Sequence, residues 1–273
     1  MDRLVAFISV VRRFCRGVDA RELGLRLQTL RNSRTIRGHT DDVPILIPMS
    51  DPSPPVLELR DVSCAADGVA LCGLSLSFDA GAFHVITGGP DTLRAALLRV
   101  LGLLDAPASG EVFFEGRAFA ALSEQDRDEV RNLRCGFLFA APFLLPTFSV
   151  VENVAMPLFK ISQVNPEQAR ERTDLLLAFA GLTAETQRHA DELTPFQQHA
   201  VSLVRALAND PALITVESLS AGLTPDETVR FAALLRQSCA RFGVTIIASV
   251  PAEFAAESSD RVIALDGNGA IPA

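Results

Sequence analysis

Residues 85–98, VITGGPDTLRAALL, stand between an apolar run and an amphipathic stretch, where a phosphate-binding loop would join a strand to a helix. The pattern G-x-x-x-x-G-K-[ST] holds phosphates for a physical reason. Its glycines let successive backbone N–H groups form a nest, its lysine reaches the β- and γ-phosphates, and its hydroxyl ligates magnesium. Here Gly88 is kept, but Leu93 occupies the second glycine, Arg94 the lysine and Ala95 the hydroxyl. Lys160 is the only lysine of the chain and lies far from this loop. Asp91 adds a negative charge beside the expected polyanion, and Ala95 has no oxygen for a metal. Arg94 still attracts phosphate, yet a forked guanidinium does not replace a compact ammonium at a tight site. These residue types describe a strand–turn–helix joint from which most phosphate chemistry has been removed.

The elements that must carry this loop follow from periodicity. Short strands are expected at Val56–Arg60, Val69–Cys72, Leu74–Phe78 and Phe83–Thr87, then a helix from about Thr92 to Leu104. Glu111–Phe114 and Cys135–Ala140 read as strands, Ser123–Leu133 as a charged helix, and 165–181 and 196–208 as helices. Leu213–Val216 and Val244–Ala248 are continuous apolar runs of the kind buried parallel strands show. Between them, Thr224-Pro225-Asp226-Glu227 is a capping box with proline at the first helical position, and Gly243 ends the helix. Alternating strands and helices predict an α/β domain with a mainly parallel sheet.

At 273 residues and 48% hydrophobic content, the chain suffices for one large domain with a sizeable core. No apolar run reaches the roughly 18 residues of a membrane span, and Leu4–Val11 lacks a secretory cleavage site. The five cysteines are odd in number and show no C-x-x-C spacing, which reads as free thiols in a reducing, cytosolic compartment, with no metal site. Residues 1–40 carry nine arginines against Asp2, Asp19 and Glu22, whereas the whole chain has a net charge of −8. The remainder is therefore strongly acidic, which argues against a nucleic-acid surface on the main domain. Residues 1–42 read as a basic helical extension, with Leu4, Phe7, Ile8 and Phe14 on one helix side and arginines nearby. That helix either lies on an anionic bilayer through residues 1–16 or docks on its own domain or a partner. Residues 43–55, VPILIPMSDPSPP, read as a proline-rich linker into a domain at 56–273.

Several stretches of that domain, taken together, are specific: LGLLDAPASGEVFFEG (101–116), LLPTFSVVENVAMPL (144–158), VRALANDPALI (204–214) and DRVIALDGNG (260–269). They resemble the ATP-binding subunit of ABC transporters, most closely the bacterial lipoprotein-release and macrolide-export branch, over about residues 56–267. The resemblance implies a RecA-like P-loop NTPase core, an antiparallel β-subdomain and a helical subdomain at about 141–205. It also implies a nucleotide-handling set at Gly88, Gly89, Asp91, Leu93, Arg94, Ala95 and Ala96, with Ala140 in place of the Q-loop glutamine. In LITVESLSAGLT (213–224), which is similar to Walker B with its D-loop, Glu217 replaces the magnesium aspartate and Ser218 the water-orienting glutamate. Leu193, Thr194, Pro195, Phe196 and Gln197 resemble the signature motif LSGGQ, with two glycines replaced. Val250 stands for the switch histidine, and residues 63–68 offer no aromatic side chain to stack on adenine. His39, His84, His189 and His199 fall on none of the family's catalytic positions.

Phosphoryl transfer rests on positioning and electrostatics, and losing one preorganised donor typically costs about 10²–10³ in rate. The lysine, glutamate, histidine and glutamine are all replaced, and both halves of a composite dimer site are altered. The leading expectation is thus a pseudo-ATPase that scaffolds or regulates a transmembrane transporter subunit or a sister ATP-binding subunit, peripheral at the inner face of the cell membrane. The resemblance places the partner groove at Phe143, Leu144, Leu145, Pro146, Glu152 and Asn153. A weakly nucleotide-binding sensor subunit, holding ATP and magnesium loosely through Arg94 and Glu217, is a second reading. An active transporter ATPase with unusual motifs is a third.

Overall fold

The structure, a computed structural model, describes residues 55–162, 164–251 and 259–265. The chain divides into two compact units, residues 1–53 and 54–273. The expectations for the basic extension, and for the linker up to residue 54, lie outside the described residues, as does the end of the 260–269 stretch.

The second unit opens with a β-hairpin. β1 (Leu57–Ala66) pairs antiparallel with β2 (Val69–Phe78), and the connection Asp67-Gly68 has φ of 50° and 78°. Two consecutive positive φ values are what a tight hairpin turn matching strand twist requires. β4 (Ser109–Phe114) and the short β5 (Arg117–Ala118) complete a four-stranded sheet in the order β2-β1-β4-β5. The two strands expected at 69–72 and 74–78 are one strand. Gly73, at φ 67°, carries the chain through an irregular register opposite Val62 instead of ending it.

The second sheet is parallel throughout, in the order β6-β7-β8-β3-β9. Its members are β3 (Phe83–Gly88), β6 (Cys135–Leu138), β7 (Leu213–Val216), β8 (Thr245–Ser249) and β9 (Arg261–Leu265). β7 and β8 are buried at every residue, which is why they read as unbroken apolar runs. Helix α1 (Asp91–Leu101) follows β3 and buries Leu93, Leu97 and Leu101 among Leu57, Leu59 and Phe78 of one sheet and Ile86, Leu213 and Ile247 of the other. The helix that begins at the loop is thus the keystone between the two sheets.

The remaining helices start alike. α2 (Glu124–Arg134) is capped by Ser123. α3 (Val150–Pro157), α4 (Pro166–Phe179), α5 (Pro195–Ala206) and α6 (Pro225–Phe242) each begin with a reciprocal capping box. In the last three the segments N-P-E-Q, T-P-F-Q and T-P-D-E put proline at the first helical position, where its fixed φ suits the helix and its missing N–H costs nothing. α6 ends at Gly243 in the left-handed conformation, as expected. Cys64, Cys135 and Cys239 are buried free thiols and Cys72 an exposed one; burial pushes Cys135 and Cys239 up to about 12.

Candidate nucleotide site and partner face

The loop between β3 and α1 turns on Gly88 and Gly89, at φ 74° and 60°. At Gly88 the constraint is absolute, because an added Cβ would come within 2.2 Å of the Leu265 carbonyl oxygen on β9. The loop is closed by its own side chains. Arg94 Nη1 donates to the carbonyls of Gly88 (2.8 Å) and Gly89 (2.6 Å), and Nη2 donates to the Asp91 carboxylate. The Arg94 side chain is only 9% exposed, whereas that of Asp91 is 92% exposed. Asp91 is also the first residue of α1, so its charge lies at the positive end of the helix dipole. Both positive features of a phosphate loop, the cation and the helix start, already have an anion. Leu93 points into the core, and Pro90 takes the backbone N–H groups of Leu93 and Arg94 on its carbonyl (both 3.1 Å).

The two positions that would hold magnesium face each other across α1 and β7. Between Ala95 and Glu217 lies a cleft of about 20 Å³, walled by Leu98, Phe137, Leu138 and Phe139. That is room for about one water. Glu217 is half-buried, and its backbone N–H donates to Leu138 O (2.7 Å). Arg99 nearby is raised mainly by its bonds to Asp105 (2.6 and 2.8 Å) and to a smaller extent by the Glu217 charge. Ser218 adopts φ 53°, and its N–H donates to Ser249 Oγ (3.0 Å). Val250 is buried, and its N–H donates to Ile86 O (3.0 Å). Ser249 therefore ties the end of β8 to residues 218–219, a role that a serine among apolar residues does not announce. Among the described residues no group of three acidic, histidine or cysteine side chains is placed to hold a metal ion.

The stretch Leu193–Gln197 forms the start of α5. Leu193 is buried, Thr194 Oγ1 accepts from Gln197 N–H (3.3 Å), and Gln197 Oε1 accepts from Thr194 N–H (3.0 Å). Gln197 Nε2 also donates to Glu185 (3.0 Å). Phe196 packs edge-on to Phe231 of α6, and the Arg230 guanidinium lies 4.5 Å from its ring centroid. His199 is buried one turn further on, where burial lowers its pKa from the ordinary value, and its Nε2 lies 2.9 Å from Ala221 O. The helix start is thus fastened to α6 and to the loop after β7.

The sequence profile described as ABC transporter matches residues 71–217, more than half of the chain. The chain belongs to the ABC transporter family. Among its relatives is the lipoprotein-releasing system ATP-binding protein LolD of Aquifex aeolicus, 37% identical over 160 residues, covering 59% of this chain and 71% of that protein. LolD of Acinetobacter baylyi is 32% identical over 213 residues, 76% of this chain and 93% of its own. An ATP-binding cassette solved as a post-hydrolysis dimer with ADP and Pi superposes with a TM-score of 0.67 at 25% identity, over 80% of this chain and 97% of that one. CbiO1 of Clostridium perfringens, part of the ABC transporter complex cbiONQ, shares the fold, with a TM-score of 0.73 at 20% identity over 81% and 88% of the two chains. The two sheets and six α-helices of the described residues are those of an ABC ATPase cassette.

Within this ABC transporter cassette the 139–153 segment has a dry side and a wet side. Ala140 and Leu144 are half-buried, while Phe143 is 68% and Leu145 38% exposed, with Pro146 exposed beside them. Phe143 sits at φ 45°, a left-handed conformation that a bulky side chain rarely adopts. Arg205, on α5, holds it there by donating to the carbonyls of Pro142 and Phe143 (both 2.9 Å), and Phe139 meets its ring edge-on at 5.7 Å. Glu152 and Asn153, expected at the partner groove, are both buried. Glu152 closes the capping box under Ser149, and Asn153 is 0% exposed. The Asn153 amide accepts from Leu145 N–H (2.8 Å) and donates to the carbonyls of Leu145, Phe148 and Ser149. Both residues shape the loop from beneath, because in an α-helix packed on α5 these positions face inward. Among the described residues no helix is long and apolar enough to cross a membrane.

Proposed function

We propose that this chain is a pseudo-ATPase of the ABC transporter family that scaffolds or regulates a transmembrane transporter subunit or a sister ATP-binding subunit. The observation that carries the reading is Arg94, whose guanidinium is spent on two loop carbonyls and on Asp91. The residues present do not fit a magnesium–nucleotide. Ala95 and Ala140 offer no oxygen, Glu217 borders a cleft of about 20 Å³, and the carboxylate of Asp91 stands where a phosphate would come. What the cassette retains is its framework and the exposed Phe143–Leu145–Pro146 face, which suits an apolar partner segment. The relatives named as lipoprotein-releasing system ATP-binding proteins support the transmembrane part of such an export system as that partner. This would place the chain at the cytoplasmic face of the membrane.

The test is magnesium-dependent ATP turnover by the purified chain, alone and with its membrane partner. Turnover that disappears in Glu217→Gln would overturn the reading; turnover indistinguishable from buffer supports it. A second reading, a weak nucleotide sensor, draws on the cationic Arg94 and the half-buried Glu217. Micromolar ATP binding lost in Arg94→Ala would replace the first reading with this one. The basic residues 1–16 supply a separate anchor, checked by binding of the full chain to vesicles containing anionic lipid and its loss on deletion of those residues.

A further inference from the structure

We propose that His84 is a proton-sensitive joint between the two sheets, and that its protonation opens the seam where the end of β2 meets the starts of β3 and β9. The ring belongs to β3, in strand register with Ile247 of β8 and Arg261 of β9. The residue is 3% exposed, and among the described residues neither ring nitrogen has a hydrogen-bond partner. The Asp79 backbone approaches the ring without completing a bond. Across the seam His84 meets Phe78, the last residue of β2, edge-on with ring centroids 5.1 Å apart. A neutral imidazole carries one N–H and one lone pair, so a donor and an acceptor are both held here away from water. The acceptor nitrogen is open to a proton, yet the pocket offers the resulting cation no bonded anion.

The charges around the ring decide how that conflict resolves. From β9, Arg261 donates to Ser77 O (3.1 Å), a second tie across the same seam. Asp260 accepts from the Phe83 N–H (2.9 Å) and from Arg236 of α6 (2.7 Å). From the turn between β2 and β3, Asp79 is exposed, and its carbonyl accepts from Thr245 Oγ1 (3.3 Å). The register partner on β8, Ile247, carries no charge. Burial lowers the His84 pKa from its ordinary value of 6.5 and Arg261 adds to the lowering, while the Asp79 backbone and the Asp79 and Asp260 carboxylates oppose it. A proton on His84 thus sets a cation beside Arg261 in a dry pocket. The smallest relief is local: the ring leaves Phe78 for the exposed Asp79 side, and Arg261 leaves Ser77. β9 is the edge strand of its sheet, so this opening leaves the buried strands β7 and β8 in place.

The test is hydrogen–deuterium exchange of the full chain, wild type and His84→Phe, from pH 7.5 to 5.5, with each rate corrected for its intrinsic pH dependence. The His84 Cε1 proton is followed by NMR over the same range. In the wild type, peptides covering 77–84 and 259–263 should exchange at least about fivefold faster at the acid end, while β7 and α5 keep their protection. The midpoint of that change should match the His84 titration. His84→Phe keeps a ring against Phe78 but takes no proton, so its seam should not respond to pH. An unchanged seam in the wild type, an acid opening that survives in His84→Phe, or acceleration of the whole chain together overturns the proposal. His84→Leu replaces His84→Phe if the latter does not fold, as judged by circular dichroism at pH 7.5. ATP turnover plays no part in this readout, so its outcome is separate from that of the pseudo-ATPase reading.

Discussion

Replacing Arg94 by alanine separates a loop built to receive a ligand from one that is already satisfied. In a waiting loop the cation contributes to binding and little to stability. In this one it donates to two fixed carbonyls from a side chain that is 9% exposed. Each bond from a charged donor contributes about 1.5–3 kcal/mol. The bond to the exposed Asp91 adds only about 0–1 kcal/mol. Against this stands the cost of holding a guanidinium away from water, which alanine relieves. The net loss expected for Arg94→Ala is about 2–4 kcal/mol. For a unit of this size each kcal/mol moves Tm by roughly 2–4 °C, so the melt should fall by about 4–16 °C. Arg94→Lys, which keeps the charge but reaches fewer acceptors, should lose roughly half as much. Thermal unfolding by circular dichroism, with urea titration as a cross-check, measures both. A melt of Arg94→Ala within about 1 °C of wild type would refute the closed-loop account.

Asn153→Ala should cost about 1–3 kcal/mol, because it leaves the Leu145 N–H without its acceptor, while the carbonyls of Leu145, Phe148 and Ser149 keep their backbone N–H partners; urea unfolding reads this directly. Phe143→Gly should move stability and binding in opposite directions. Relief of the left-handed conformation gains roughly 1 kcal/mol, while loss of the exposed ring should weaken association with the proposed membrane partner, followed by co-purification from detergent-solubilised membranes. The pH dependence follows from His84 and His199, both lowered by burial from the ordinary value of 6.5. The unfolded chain binds protons at a higher pH than the folded one, so their contribution is complete above about pH 6.5 and is lost as pH falls below it. Melts at pH 7.5 and 5.5 should differ, and His199→Gln should shrink the difference.

Local rules carried much of this fold into view. Thr224-Pro225-Asp226-Glu227 announces a helix, and Thr194-Pro195-Phe196-Gln197 is the same device at the start of α5. The buried runs β7 and β8 were legible for the same reason, since a strand covered on both faces has only apolar residues to show. What escaped was direction and distance. Val150–Pro157 lacks a polar face, so its helix has no amphipathic signature, and nothing local tells that Glu152 and Asn153 point inward. Arg205 reads as an ordinary charge near a helix end, yet it grips a loop 62 residues earlier. Gly73 looks like a strand break because the sequence does not show that β1 is irregular opposite it.

The two altered motifs share one physical feature. Each places a helix N-terminus where an anion would be bound, and each supplies that terminus from within. At α1 the supplier is the carboxylate of Asp91 with the cation of Arg94; at α5 it is the Thr194–Gln197 capping box, with Pro195 contributing no N–H. A helix start that has lost its ligand leaves unsatisfied N–H groups and a positive dipole end, both unfavourable when partly buried. Here Thr194 and Gln197 bond such groups at α5, and Asp91 sets its charge against the dipole at α1 without a cap hydrogen bond, while the core around Leu93, Leu97 and Leu101 stays fully packed. That combination supports the proposed reading, in which the closed, ligand-free form of the cassette is the working state. Its stability rests on internal partners, and its surface, led by Phe143, is left to act.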